Sequence, residues 1–163
     1  NNTYFVSYQP VQENSFTDEL GGKILISGLA QELSSELRMR VDDNLVASTL
    51  LKEPDKRFLV PQRPIEGISE KSKKIIDSYL MEHTQNIKRK LDVRHWPTDF
   101  MTLCIIGGTA RILRPEIEKV FGDVFIPDMP DMVTVKGYLR KICADDNIDI
   151  KVAKNNESIK KSA

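Results

Sequence analysis

The chain has 163 residues, enough for one proper core and short for two. Lys plus Arg and Asp plus Glu each number 24, so the net charge is zero and no global field draws the chain toward nucleic acid or anionic membrane. No run approaches the ~20 apolar residues of a membrane-spanning helix, and no signal-peptide pattern opens the chain.

The cysteines are Cys104, inside an apolar run, and Cys143, on an apolar helical stripe. They read as core thiols of a protein in a reducing, cytoplasmic compartment. The first residue is Asn rather than Met, so a fragment or a processed form is expected.

Tyr4 to Tyr8 is rich in aromatic and β-branched residues and predicts a strand. Gln9 to Asn14 is a polar connection holding Pro10, and Ser15 to Leu20 could return as a second strand. The pair reads as a hairpin with a loop of about six residues, stopping at Gly21-Gly22.

A helix follows at once. Ile24, Leu25, Leu29, Leu33 and Leu37 recur at helical spacing. Gly28 interrupts it at a cost of about 1 kcal/mol relative to Ala, which suggests close packing against a neighbour, the sheet being the expected one. Arg38 and Arg40 are expected in the last turn, complementing the helix dipole. Asp42-Asp43-Asn44 can cap a short second helix through Leu51.

From Lys52 to Gly67, Pro54, Pro61 and Pro64 break the pattern. Phe58-Leu59-Val60 allows a very short strand within this irregular excursion. A long helix is predicted from Ser69 to about Leu91, with Ile76, Leu80, His83, Ile87 and Leu91 on one stripe. Its Lys71, Lys73, Lys74, Lys88, Arg89 and Lys90 form a solvated face or a partner-binding one. His83 reads as a packed core histidine.

Phe100 to Ile106 predicts a buried strand that ends in Gly107-Gly108. One helix is expected to run from there to Val120 or Phe121, with Pro115 near its first turn and Gly122 ending it. Val124-Phe125-Ile126 is a short strand closed by Pro127, and a last helix spans roughly Met132 to Ala144. Ile148 to Val152 alternates and could add an edge strand before a polar tail. The order predicts an α/β sandwich with a mixed sheet flanked by helices and a small irregular insert. The domain is expected over residues 1–144, with the extension or tail over 145–163.

Chemistry-bearing motifs are few. There is no P-loop and no Gly-x-Ser-x-Gly elbow. His83 and His95 have no metal-ligand spacing with the cysteines. Cys104 in mid-strand is a poor nucleophile, and Asp42-Asp43 and Asp145-Asp146 read as capping and turn acids. What remains is a pair of strand-to-helix turns, Gly21-Gly22 and Gly107-Gly108. Free N–H groups at helix starts favour anions and polar ligand edges, and two such turns on one sheet could face one ligand. Two ordinary turns are the alternative.

The stretch Ile105-Ile106-Gly107-Gly108-Thr109-Ala110-Arg111-Ile112-Leu113 resembles the adenosine-binding motif of the actin-like ATPase superfamily, which includes actin, heat-shock chaperones and sugar kinases. The segment from Pro130 to Leu139 is similar to the start of the last helix in bacterial ParM-like plasmid-segregation actins, with Met132 or Val133 where a small residue is usual. The hairpin and Glu19-Leu20-Gly21-Gly22 resemble the front of that superfamily's second large domain. The resemblance covers most of Tyr4 to Ile142. It implies an RNase-H-like domain II with a reduced outer subdomain from about Asp42 to Ile68.

The resemblance also implies a nucleotide site. Gly107, Gly108 and Thr109 would contact the adenosine, Arg111 would lie near the base, and Gly21-Gly22 would face the ribose or phosphates. The short helix from Asp42 to Leu51 would add ribose or base contacts. ATP or GTP with Mg would be the cofactor of the longer protein. The partners implied are further copies in a filament and an adaptor bound to plasmid DNA, with no membrane and no direct nucleic-acid contact. The family's Asp-Gly and Asp-x-Gly-Gly phosphate motifs and its catalytic acid do not occur here. The chain is therefore expected to be cut from a longer protein just after the second phosphate loop, binding nucleotide weakly alone and hydrolysing essentially none. A chaperone- or sugar-kinase-type domain and a non-catalytic interaction module are the alternatives.

Overall fold

The computed structural model describes residues 2–6, 9–63 and 65–145. The chain is mixed α/β and mostly helical. Its strands are β1 (Asn2–Val6), β2 (Gln9–Phe16), β3 (Leu103–Cys104) and β4 (Val124–Phe125). Its α-helices are α1 (Gly22–Leu37), α2 (Asp43–Leu50), α3 (Ile68–Val93), α4 (Gly108–Ile112), α5 (Arg114–Phe121) and α6 (Val133–Asp145).

The expected single sheet is two separate two-stranded ones among the described residues. β1 pairs antiparallel with β2, and β3 pairs parallel with β4. The hairpin connection is shorter than expected, because Val6 already faces Gln9 and the polar run Gln9 to Asn14 lies within β2. Both strands of a two-stranded ribbon are edges, so Pro10 is tolerated opposite Phe5. The strand expected from Phe100 shrinks to Leu103–Cys104, where β4 offers partners. Leu103 is buried, but Cys104 is exposed, so the core thiol expected there is corrected. A two-stranded sheet alternates its side chains between core and solvent, whereas an unbroken apolar run predicts burial on both faces.

The core is helical. Leu25, Leu29 and Leu33 of α1 are fully buried, as is Leu80 of α3. Val46 and Leu50 of α2 and Leu113 and Ile117 beside and within α5 complete one cluster. Each such side chain contributes about 1.5–3 kcal/mol on burial. Gly28 of α1 does mark a close approach, but the neighbour is Tyr79 of α3 rather than a sheet.

α1 ends at Leu37, so Arg38 and Arg40 lie beyond its last turn. Arg38 is the C-cap, left-handed at φ 52°, and its N–H reaches the carbonyls of Ser34 and Ser35. Ser34 Oγ then accepts from Val41 N at 3.0 Å and steers the chain into α2. Asp42 caps α2 as expected, with Oδ1 accepting from Leu45 N at 2.8 Å.

Leu59 forms no strand. Its N–H donates to Ser72 Oγ (2.9 Å) and its carbonyl accepts from Ser69 Oγ (3.1 Å). Two serines of α3 thus satisfy the backbone a strand partner would have used. Leu59 is buried in the common core with Val46 and Leu50, so this segment packs with the helices around it.

The helix expected after Gly108 breaks at Leu113 into α4 and α5, and Pro115 stands at the start of α5. Proline lacks the N–H that a continuous helix would need there. α6 begins at Val133 and leaves Val135, Tyr138 and Leu139 exposed. Among the described residues no helix is long and apolar enough to cross a membrane. The edge strand expected over 148–152 and the tail after it lie outside the described residues.

Candidate functional site

The two glycine turns meet, though not on one sheet. Gly21 is the N-cap of α1 in extended conformation, with no side-chain cap. Gly107 precedes α4 at φ 100°, a conformation L side chains rarely adopt, and its N–H donates to the Pro130 carbonyl at 2.7 Å. A Cβ placed on Gly22 would sit 3.2 Å from Thr109 Oγ1. The starts of α1 and α4 therefore touch, and glycine at position 22 permits it.

Beneath this junction lies a cavity of about 230 Å³. Gly21, Thr109 and Ala110 line it, together with Ile87 and Leu91 of α3. Ile105, Leu113 and Ile117 line it as well, so the hollow is mainly apolar. Phe16, Asp18 and Lys90 line it from the hairpin side and from the end of α3.

Asp18 supplies the cavity's polar feature. Its Oδ1 lies 3.2 Å from Lys90 Nζ, and its Oδ2 is 3.8 Å from Arg94 Nη2. Oδ2 is buried and has no hydrogen-bond partner among the described residues. The Arg94 guanidinium stacks 3.7 Å over the Phe16 ring, and Phe16 meets Trp96 edge-on at 5.5 Å. Trp96 Nε1 donates to the Asn14 carbonyl at 3.0 Å. This cluster ties β2 to the end of α3 and fixes the cavity's edge.

His83 behaves as the packed histidine expected. Its Nε2 is 3.3 Å from the Leu20 carbonyl, which can only accept, so Nε2 carries the proton. Burial pushes its pKa below the ordinary histidine value, partly opposed by that carbonyl. The contact holds Leu20, and with it the start of the Gly21 turn.

Of the six residues singled out in the sequence, Gly21, Gly22 and Thr109 are brought together here. Gly107 and Gly108 flank the junction, and a Cβ on Gly108 would meet nothing within 4 Å. Arg111 lines a second cavity instead, shared with the segment after α2. Asp18 and Trp96 carried no sequence signal beyond their types, because the contacts that recruit them span the chain, and Lys90, read as part of a solvated or partner-binding face, pairs with Asp18 instead. A hollow of about 800 Å³ along α3 is larger, but Glu82, Lys88, Arg89 and Asp92 make it an open charged groove unconnected with the glycine turns.

Among the described residues no group of three or more His, Cys, Asp or Glu is arranged to hold a metal. The site has the makings of a binding surface: an apolar slot, the Asp18 carboxylate at its edge, and the uncapped start of a 16-residue helix. Comparison of the chain with protein-family models, with curated proteins and with solved structures finds no match.

Proposed function

We propose that this chain is the nucleotide-binding half of a ParM-like actin homologue that polymerises with ATP to segregate plasmid DNA. The observation that carries the reading is that the two glycine turns, far apart in sequence, meet where Gly22 approaches Thr109, beside a cavity that Gly21 and Thr109 line. At about 230 Å³ the cavity falls below the ~300–1,000 Å³ of whole-ligand pockets, and its size and apolar walls suit a purine base. Open space at Gly108 lets a ligand approach the backbone. In this reading Gly107, Gly108 and Thr109 face the adenosine, and Gly21-Gly22 face the ribose or phosphates. Arg111 lines the neighbouring cavity.

The two small sheets are consistent with an RNase-H-like domain whose sheet is joined by a further strand of a longer protein, since isolated two-stranded sheets are marginal. The Mg and phosphate ligands belong, on the resemblance, outside this chain, so its own residues bind and orient the nucleoside end only. Self-association has a surface available in the exposed Val135, Tyr138 and Leu139 of α6. Light scattering by the full-length protein containing this chain tests the reading. ATP should produce a polymer signal that decays on hydrolysis. Absence of polymer under ATP and GTP alike sinks the filament reading and leaves a chaperone- or kinase-type nucleotide domain.

A further inference from the structure

A second cavity, about 240 Å³, lies between the end of α2, the turn after it, and the α4–α5 junction. Lys52, Arg57, Arg111 and Arg114 line it, with Glu53 the one carboxylate. Four cations from three parts of the chain therefore converge on one small space. Like charges so gathered repel unless an anion joins them.

Two of the cations are built into the fold. Arg57 is 5% exposed. Its Nε donates to the Lys52 carbonyl at 3.1 Å and its Nη1 to the Ile112 carbonyl at 2.9 Å. Its Nη2 has no hydrogen-bond partner among the described residues. A buried guanidinium is thus clamped on two sides, and its remaining corner is free. Arg114 Nη2 is held by the Pro127 carbonyl at 2.6 Å, and its Nη1 lies 3.9 Å from Glu118. The side chains of Lys52 and Arg111 have no partner among the described residues. Glu116, Asp77 and Glu53 offset part of the Arg57 charge, and burial raises the pKa of the Glu116 carboxyl above the ordinary carboxylate value, partly opposed by its hydrogen bond and by Arg57. Leu51, Pro54 and Pro115 supply an apolar rim.

We propose that this cavity binds the phosphate group of a small molecule, with Arg57 as the fixed donor and Lys52 and Arg111 closing on it. Planar guanidinium forks and a flexible ammonium are the groups that recognise phosphate oxygens. The inference goes beyond the nucleotide reading, because the cavity is separate from the glycine junction.

The test is a titration of the chain with inorganic phosphate, and in parallel with glycerol phosphate, at constant ionic strength balanced by chloride. Backbone amide shifts in nuclear magnetic resonance spectra report binding. Saturable shifts confined to 50–57 and 111–115 are expected for at least one of the two anions, and the tighter one identifies free phosphate or a phosphate ester as the natural type. Lys52→Ala and Arg111→Ala should each weaken binding about tenfold, the effect of losing one charge-assisted contact, and neither should unfold the chain. Glu53→Gln should tighten it. Gly108→Val should leave it unchanged, which separates this site from the nucleotide site. Non-saturating shifts spread over the surface, or equal midpoints in Lys52→Ala and wild type, overturn the proposal.

Discussion

Gly28→Ala is the substitution for which the structure and simple propensity disagree most. Glycine inside a helix costs about 1 kcal/mol relative to alanine, so on propensity alone the change stabilises α1 by that amount. In the fold, the new Cβ would overlap the Tyr79 hydroxyl and lie 3.2 Å from the ring carbon that carries it. Tyr79 packs against the core from α3 and is partly buried, so its ring cannot swing away without losing contacts. Overpacking of this kind costs about 1–3 kcal/mol. The net expectation is destabilisation by about 1 kcal/mol. In a Tyr79→Ala background the obstacle is gone, and the same Gly28→Ala change should stabilise by about 1 kcal/mol. The cycle therefore predicts a coupling of about 2 kcal/mol between positions 28 and 79. Urea unfolding followed by far-ultraviolet circular dichroism measures all four corners. If Gly28→Ala stabilises both backgrounds equally, the close packing of α1 on α3 is refuted.

Loss of the α2 cap in Asp42→Ala should cost about 1 kcal/mol, with faster hydrogen exchange at residues 43–46, and Asp42→Asn should recover most of it because the acceptor to Leu45 N remains. The pH dependence of stability should carry the mark of His83. Its folded pKa lies below the ordinary 6.5, so the unfolded chain binds more protons between the two values. Stability should hold above about pH 6.5 and fall as pH drops through that value toward the folded pKa. His83→Gln should flatten this slope in urea midpoints measured from pH 8 to pH 5, and an undiminished slope in the variant would place the titration elsewhere.

How much of this was legible in the sequence depends on the range of the forces involved. α1 and α3 were readable because Leu25, Leu29 and Leu33, or Ile76, Leu80 and His83, repeat at the period of the helix itself. The Asp42 cap was readable because its partner is three residues away. β2 was missed in part because it lies on a ribbon with little buried surface, so its polar residues show no alternation. The length of β3 is set by β4, twenty residues on, and the break at Leu113 appears only once α4 and α5 have separate places to pack. The glycine turns could be named as candidates, but their meeting depends on how α1 and α4 are set against each other. Asp18, half-buried at the cavity, became visible only when Lys90 and Arg94 were brought to it across the chain. Arg57 was hidden in a proline-rich stretch, since its burial depends on the carbonyl of Ile112.

The central claim is that the Gly107-Gly108 turn is a face of a nucleotide site, and Gly108→Val tests it most directly. The position has ordinary backbone geometry and open space where a side chain would project, so valine should leave the fold and its urea midpoint unchanged. Titration of a fluorescent adenine nucleotide into the chain, and into the full-length protein that contains it, should show binding weakened at least about tenfold by the variant, the equivalent of about 1.4 kcal/mol. Unchanged nucleotide affinity in a folded Gly108→Val protein contradicts the account.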